Sequence, residues 1–190
     1  MSNAWIVMKV GGSLFDLPDL RERLRSVLAP LEGAKVLLVP GGGAAADAIR
    51  AFDHLHGLGE EVAHWLAIRA MSLHAHFLRA LLLDARIVSE ISELNECASG
   101  LYILDAFPVI QNDEKRPDHL PHSWEVTSDA LAARVAMLAN ARELLMLKSV
   151  AWPGCDWDEA ARAGVVDKFF AEAVRRAPKS MRTHVINLRG

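Results

Sequence analysis

Two glycine-rich segments each close a short apolar run: Lys9-Val10-Gly11-Gly12-Ser13 ends the run from Ile6, and Pro40-Gly41-Gly42-Gly43 follows Lys35 to Val39. A polyphosphate needs many hydrogen-bond donors at short range, and backbone N–H groups supply them where no side chain blocks the approach. Glycines between a strand end and a helix start meet that need, and the helix dipole adds positive potential. One Gly-Gly alone reads as a tight turn; two such loops on successive strands favour phosphate binding. Lys9 stands inside the first run, where an unpaired ammonium is costly to bury. It either reaches an anion at the strand's carboxyl end or snorkels from an edge strand. Lys148 ends Leu144-Leu145-Met146-Leu147 in the same way. Two lysines so placed could hold opposite sides of a transferring phosphoryl group, a reaction that depends mainly on positioning and charge stabilisation. Asp129 falls in the first turn of the helix opened by Thr127-Ser128. Capping and the helix dipole account for it by themselves, yet it could also keep both ammonium groups charged and aligned.

Competing chemistries are less well supported. The P-loop pattern is absent. Gly41-x-Gly43-x-x-Ala46 is a partial dinucleotide fingerprint, but Glu60 and Glu61 open a long helix where an acidic residue should end a second strand. His54/His56 and His74/His76 are i,i+2 pairs that a helix points apart, and His119/His122 sit in a loop with no third ligand evident. No dedicated metal site is expected. Trp65, Trp124, Trp152 and Trp157 read as packing and pocket walls.

The elements that must position these residues follow from periodicity. Asp16 opens a helix to about Ala29, with Leu17, Leu20, Leu24, Val27 and Leu28 at helical spacing. Ala44 to Phe52 is helical, and so is Glu60 to about Asp84. In the latter, Val62, Leu66, Ala70, Leu73, Phe77 and Leu81 form the expected buried stripe, and Arg69, Ser72, His76 and Arg79 a wetter one. Short strands are predicted at Arg86–Val88, Leu101–Leu104 and Phe107–Gln111, then a loop over 112–123 carrying Pro117 and Pro121. A helix from Thr127 to Ala139 precedes a strand at Glu143–Leu147. A loop at Trp152-Pro153-Gly154, two short helices and a strand near His184–Leu188 complete the chain. Strand, glycine loop and helix, twice in succession, is the pattern of an α/β domain with a parallel sheet. With no repeat or linker, one domain over 1–190 is expected.

The 190 residues are 52% hydrophobic, enough for a sizeable core, and the formal net charge is −3. No basic tract suggests nucleic acid, and no apolar stretch approaches the roughly 20 residues that cross a bilayer. Met1-Ser2-Asn3-Ala4-Trp5 has no positive region, so a signal peptide is not expected. Cys97 and Cys155 read as two unpaired thiols in a reducing compartment, which makes the cytoplasm the default.

Taken together, Lys9-Val10-Gly11-Gly12-Ser13, Pro40-Gly41-Gly42-Gly43, Thr127-Ser128-Asp129-Ala130 and Lys148 resemble the amino acid kinase family, in the family's order across nearly the whole chain. The resemblance implies a three-layer α-β-α sandwich with a mostly parallel central sheet. It further implies ATP and Mg2+ as cofactors, a small-molecule phosphoryl acceptor and a homo-oligomer. By the same resemblance, Lys9 and Lys148 contact the transferring phosphoryl group and Asp129 organises them. Gly11, Gly12, Ser13 and Lys148 belong to the nucleotide side, with Asp167 and Lys168, in Val165-Val166-Asp167-Lys168, where larger members carry Asp-Gly-Val/Ile-Tyr. Gly41, Gly42, Gly43, Thr127 and Ser128 belong to the acceptor side. Residues 63–71 and 122–129 are similar to the short branch that phosphorylates a furanylmethyl phosphate in methanofuran-type cofactor biosynthesis, which adds His64, His122 and Trp124 to the acceptor pocket. The alternative is a non-catalytic nucleotide- or anion-binding protein on the same fold, including metal-oxyanion storage; a dinucleotide-dependent enzyme ranks third.

Overall fold

The computed structural model describes residues 4–152, 154 and 156–190. The expectations for Met1-Ser2-Asn3, Pro153 and the Cys155 thiol concern residues outside that set. Among the described residues, six segments form strands: β1 (Trp5–Val10), β2 (Lys35–Pro40), β3 (Arg86–Val88), β4 (Gly100–Leu104), β5 (Glu143–Lys148) and β6 (Arg182–Asn187). They pair in the order β3-β4-β2-β1-β5-β6, and every pairing is parallel. β1 and β2 are buried at every residue, as continuous apolar strands must be when helices cover both faces of a parallel sheet.

Among the described residues, seven α-helices accompany the sheet: α1 (Leu20–Leu28), α2 (Gly43–His56), α3 (Glu60–Leu81), α4 (Ala106–Asp113), α5 (Ser128–Leu138), α6 (Trp157–Arg162) and α7 (Lys168–Arg176). The two-residue strand period sorts the core into halves. Val7, Leu37, Val39, Leu144 and Met146 face α4, α5 and α7, where Val109, Ala133 and Phe170 pack. Ile6, Met8, Leu38, Leu145 and Leu147 face α1 and the later part of α3, with Leu20, Leu24 and Leu78. The result is the expected three-layer α-β-α sandwich with a parallel central sheet.

This parity also aims the lysines. Lys9 shares the face of Val7, and Lys148 the face of Leu144 and Met146, so both project toward α5. β1 and β5 are neighbours, with Lys9 opposite Met146 and Val10 opposite Leu147. From β1 the chain leaves toward β2 on one side, and from β5 toward β6 on the other. Their carboxyl ends therefore flank the point where connections diverge, the place where open α/β sheets bind ligands.

Three expectations need correction. Phe107–Gln111 is not a strand but lies within α4. A five-residue apolar run cannot separate strand from buried helix, and the buried residues Ala106, Val109, Ile110 and Asp113 have helical spacing. Pro108 fits because the first turn of a helix needs no donor there. The first helix begins at Leu20 rather than Asp16, since Pro18 disfavours helical geometry at Leu17. On α3 half of the proposed apolar stripe faces out, with Val62, Leu73 and Phe77 49%, 60% and 44% exposed; Leu66 and Leu81 are half-buried and Ala70 is buried as expected. The buried face is Ala63, His64, Ile68, Ala70, Met71, Ala75 and Leu78; its alanines let neighbouring elements approach closely, and a stripe drawn mainly through bulky residues overlooks Ala63 and Ala75. Among the described residues no helix is long and apolar enough to cross a membrane.

Candidate active site

Lys9 and Asp129 are each only 4% exposed, and the sheet parity described above makes them meet. Lys9 Nζ lies 2.6 Å from Asp129 Oδ1, and Lys148 Nζ donates to Asp129 Oδ2 at 2.5 Å. Burial alone would raise the Asp129 pKa, but the two ammonium groups outweigh it and hold the carboxyl below its ordinary value. Lys148 moves down: burial and the charge of Lys9 outweigh the pull of Asp129. Both carboxylate oxygens face lysines, which leaves Asp129 as an organiser of cations.

The glycine loops pack on one another. A Cβ on Gly12 would sit 2.5 Å from Gly43 N, and Gly43 itself has φ +47° with Gly12 O 2.7 Å from its would-be Cβ. Glycine is required at both positions by close backbone approach, and at Gly43 by the left-handed conformation as well. Gly11 N donates to Leu147 O at 2.9 Å, and Gly41 N to Val10 O at 2.8 Å. Ser13 Oγ donates to Ser149 Oγ at 3.1 Å, joining the loops after β1 and β5.

Behind the start of α5 stands Asp167, the N-cap of α7. Its Oδ2 accepts from Thr127 N at 3.0 Å, Thr127 Oγ1 at 2.6 Å and Ala130 N at 3.0 Å, while Oδ1 accepts from Phe170 N at 2.8 Å. Burial raises its pKa against the effect of these donors, and the charge of Asp129 adds to the rise. Asp167 thus fixes the segment that carries Asp129. Lys168 points outward and pairs with Glu125 at 3.2 Å on the surface.

A cavity of about 710 Å³ opens beside the ion triad. Gly12, Ser13, Gly42, Gly43, Thr127 and Ser128 form the wall nearest the triad, and His64 and Trp124 line it farther on. Lys9, Asp129 and Lys148 do not themselves line it, nor does His122. Trp124 Nε1 donates to Asp53 Oδ2 at 2.8 Å, and the Arg50 guanidinium lies 4.3 Å from the Trp124 ring centre. His64 is buried and stacks on His122 at 4.5 Å. Burial, with His122 beside it, pushes its pKa down to about 4, so it is neutral near pH 7. Its Nε2 is buried with no hydrogen-bond partner.

Sequence reasoning passed over several residues that the fold recruits. His74 donates through Nδ1 to Gly41 O at 2.7 Å and stacks on Phe15 at 4.0 Å, so it braces the second glycine loop. Arg50, Asp16 and Asp47 line the cavity. Arg134 binds buried Asp113 through two hydrogen bonds of 2.8 and 2.9 Å and reaches Asp118 at 2.7 Å, tying the long segment after α4 to α5. His119 and His122 do have a third potential ligand, Glu114, and Glu61 stands beside them. His74–Gly41, Arg134–Asp113 and His122–Glu61 join segments far apart in sequence, where no local pattern gives a signal, whereas the local spacing of Glu114, His119 and His122 could have raised the third ligand.

The glycine cradle and the two lysines suit a polyphosphate. The carboxylates beside them do not suit a directly bound magnesium ion: both oxygens of Asp129 face lysines, and those of Asp167 accept four hydrogen bonds. An ion accompanying ATP would be held by phosphate oxygens and water.

Comparison with known proteins agrees with this fold. A model of the amino acid kinase family matches residues 4–151. The chain is 26% identical over 153 residues to the [5-(aminomethyl)furan-3-yl]methyl phosphate kinase of Methanocaldococcus jannaschii, a match spanning 76% of this chain and 65% of that relative, just under two thirds of its length. Among solved structures, UMP kinase from Ureaplasma parvum superimposes with a TM-score of 0.70 at 14% identity, covering 100% of this chain and 92% of the other. Uridylate kinase from Archaeoglobus fulgidus gives 0.66 at 21% identity, covering 95% and 89%.

Proposed function

Because this chain belongs to the amino acid kinase family, we propose that it is an ATP-dependent kinase that transfers the γ-phosphoryl group to a small phosphate- or carboxylate-bearing acceptor, in the first place (aminomethyl)furanylmethyl phosphate. The observation that carries this reading is the buried Lys9–Asp129–Lys148 triad at the diverging ends of β1 and β5. Two ammonium groups fixed by one carboxylate are charge already aimed, so little reorganisation is needed as charge develops on a transferring phosphoryl group. A phosphate acceptor is anionic near neutral pH and needs no general base, which agrees with an Asp129 fully engaged by lysines. An acceptor oxygen forms the new bond to phosphorus as the bond to the β-phosphate oxygen breaks, and ADP leaves with that electron pair. Gly11, Gly12 and Ser13 serve the donor phosphates, with Mg2+ carried by the nucleotide.

The cavity supports the acceptor assignment. It presents one guanidinium, Arg50, and two carboxylates, Asp47 and an Asp16 already paired with Arg189, a set suited to a molecule bearing both a phosphate and an ammonium group. Neutral His64 lines the same cavity, and Trp124 offers a flat wall for a small ring. The relative from M. jannaschii, named for such a substrate, points the same way. Exposed Val62, Leu73 and Phe77 on α3 support a homo-oligomer, and Leu73→Glu should lower the mass measured by light scattering.

The test is a transfer assay with ATP and magnesium against a panel of phosphates and carboxylates, followed by 31P NMR. Diphosphate formation on the furanylmethyl phosphate, lost at least ~100-fold in Lys9→Ala, is the expected result. ATP binding without transfer to any acceptor would instead support a binding protein.

A further inference from the structure

Apart from the ion triad, three metal-ligating side chains converge where the segment after α4 meets the first turn of α3. One ligand atom from each of Glu114, His119 and His122 lies within 4.8 Å of the others. His122 Nε2 is 2.9 Å from Glu114 Oε2, and His119 Nδ1 is 3.5 Å from Glu114 Oε1. A tetrahedral ion with bonds of about 2.1 Å sets its ligand atoms roughly 3.4 Å apart. The 2.9 Å spacing of His122 and Glu114 lies near that figure, and rotation of the His119 ring brings its Nε2, the nitrogen not hydrogen-bonded to Leu120, into the same reach.

The second nitrogen of His122 is informative. Its Nδ1 is hydrogen-bonded to Glu61 Oε2, so in the neutral ring the lone pair lies on Nε2, which is buried and faces Glu114 Oε2 at 2.9 Å. That lone pair faces a carboxylate oxygen, an arrangement that needs a cation between them. A proton could serve, but a proton gives no reason for a second imidazole beside the same carboxylate. A carboxylate holding the far N–H of a histidine is the usual outer support of a metal-ligating ring. His119 Nδ1 likewise donates to Leu120 O at 2.9 Å, which leaves its Nε2 as the nitrogen available to ligate.

We propose that Glu114, His119 and His122 form a zinc site, with Glu61 orienting His122 from outside. Two imidazoles and one carboxylate favour zinc over magnesium or calcium, which prefer oxygen ligands, and leave a fourth position for water. The ion pins the segment after α4 to the start of α3. Ser123 and Trp124, the next residues along, line the cavity, as does His64, which stacks on His122. The zinc therefore positions one cavity wall and takes no part in phosphoryl transfer.

Tag-free protein, stripped with a chelator and dialysed, is titrated with zinc chloride by calorimetry and with cobalt(II) by visible absorption. One ion per chain is expected, with intense tetrahedral cobalt bands. His119→Ala and Glu114→Gln should each weaken binding at least ~10-fold, and Glu61→Gln should weaken it about 10–100-fold through the outer hydrogen bond. His119 is partly exposed, so its alanine variant retains the fold, checked by circular dichroism. Absence of stoichiometric zinc uptake by the parent protein, or uptake unchanged in His119→Ala, overturns the site and leaves a proton-bridged clamp between His122 and the glutamates. Uptake is read without turnover, so its outcome is independent of the kinase assignment.

Discussion

Replacing Asp129 with asparagine keeps the volume of the side chain and removes the charge that two lysines face. At contacts of 2.6 and 2.5 Å, each ion pair has a gross Coulomb energy of about 6 kcal/mol at an effective dielectric constant near 20. Desolvation of three ions and repulsion between the lysines offset most of it. The measurable quantity is the cost of leaving buried charge unpaired, about 3–5 kcal/mol. With a urea slope of about 2 kcal/mol/M, the Asn variant should unfold roughly 2 M earlier at pH 7. The pH dependence carries the sign. Asp129 has a depressed pKa, so its stabilisation is complete above the unfolded carboxyl pKa and is lost as pH falls through the folded value. Lys148 has a depressed pKa and loses in the variant the partner that raises it, so the variant's deficit should shrink as pH rises toward the lysine range. Urea titrations from pH 4 to 10, followed by tryptophan fluorescence, measure this. A midpoint within 0.3 M (roughly, given extrapolation error) of the parent at pH 7, or a deficit that grows at high pH, would refute the account of a carboxylate organising two buried cations.

Other substitutions probe the supports of the site. Gly12→Ala places a Cβ 2.5 Å from Gly43 N, backbone that cannot move aside alone; ATP binding by calorimetry should be lost, with thermal stability reduced by at least ~1 kcal/mol. Asp167→Asn keeps the shape but weakens three hydrogen bonds to Thr127 and Ala130 and one to Phe170. We expect a loss of about 2–3 kcal/mol in denaturant titrations, and turnover reduced through misplacement of Asp129 rather than through loss of a nucleotide contact, so that KM for ATP changes little.

Much of the frame was legible in the chain. Continuous apolar runs ending in Gly-Gly and Pro-Gly-Gly-Gly marked β1 and β2 as buried parallel strands, because a strand covered on both faces has no polar side to alternate with. Thr127-Ser128-Asp129 announced a helix start, and the structure shows Thr127 as its N-cap. Short or amphipathic elements were harder. Phe107–Gln111 reads as strand or helix until Ser72 Oγ accepts the Phe107 N–H at 2.9 Å and the helical face finds its core.

Sequence alone therefore determined the family's order of motifs, the parallel α/β class and the pairing of glycine loops with lysines, since these depend on local composition and period. Tertiary structure decided which groups touch. The sheet order places Lys9 beside Lys148 over Asp129, although these residues are distant in the chain. The same folding turns Asp167 inward as a brace, sends Lys168 to the surface, and gathers Glu61, Glu114, His119 and His122 at one point. Such contacts are set by strand pairing and by the packing of helices on opposite faces, which no local stretch of sequence encodes.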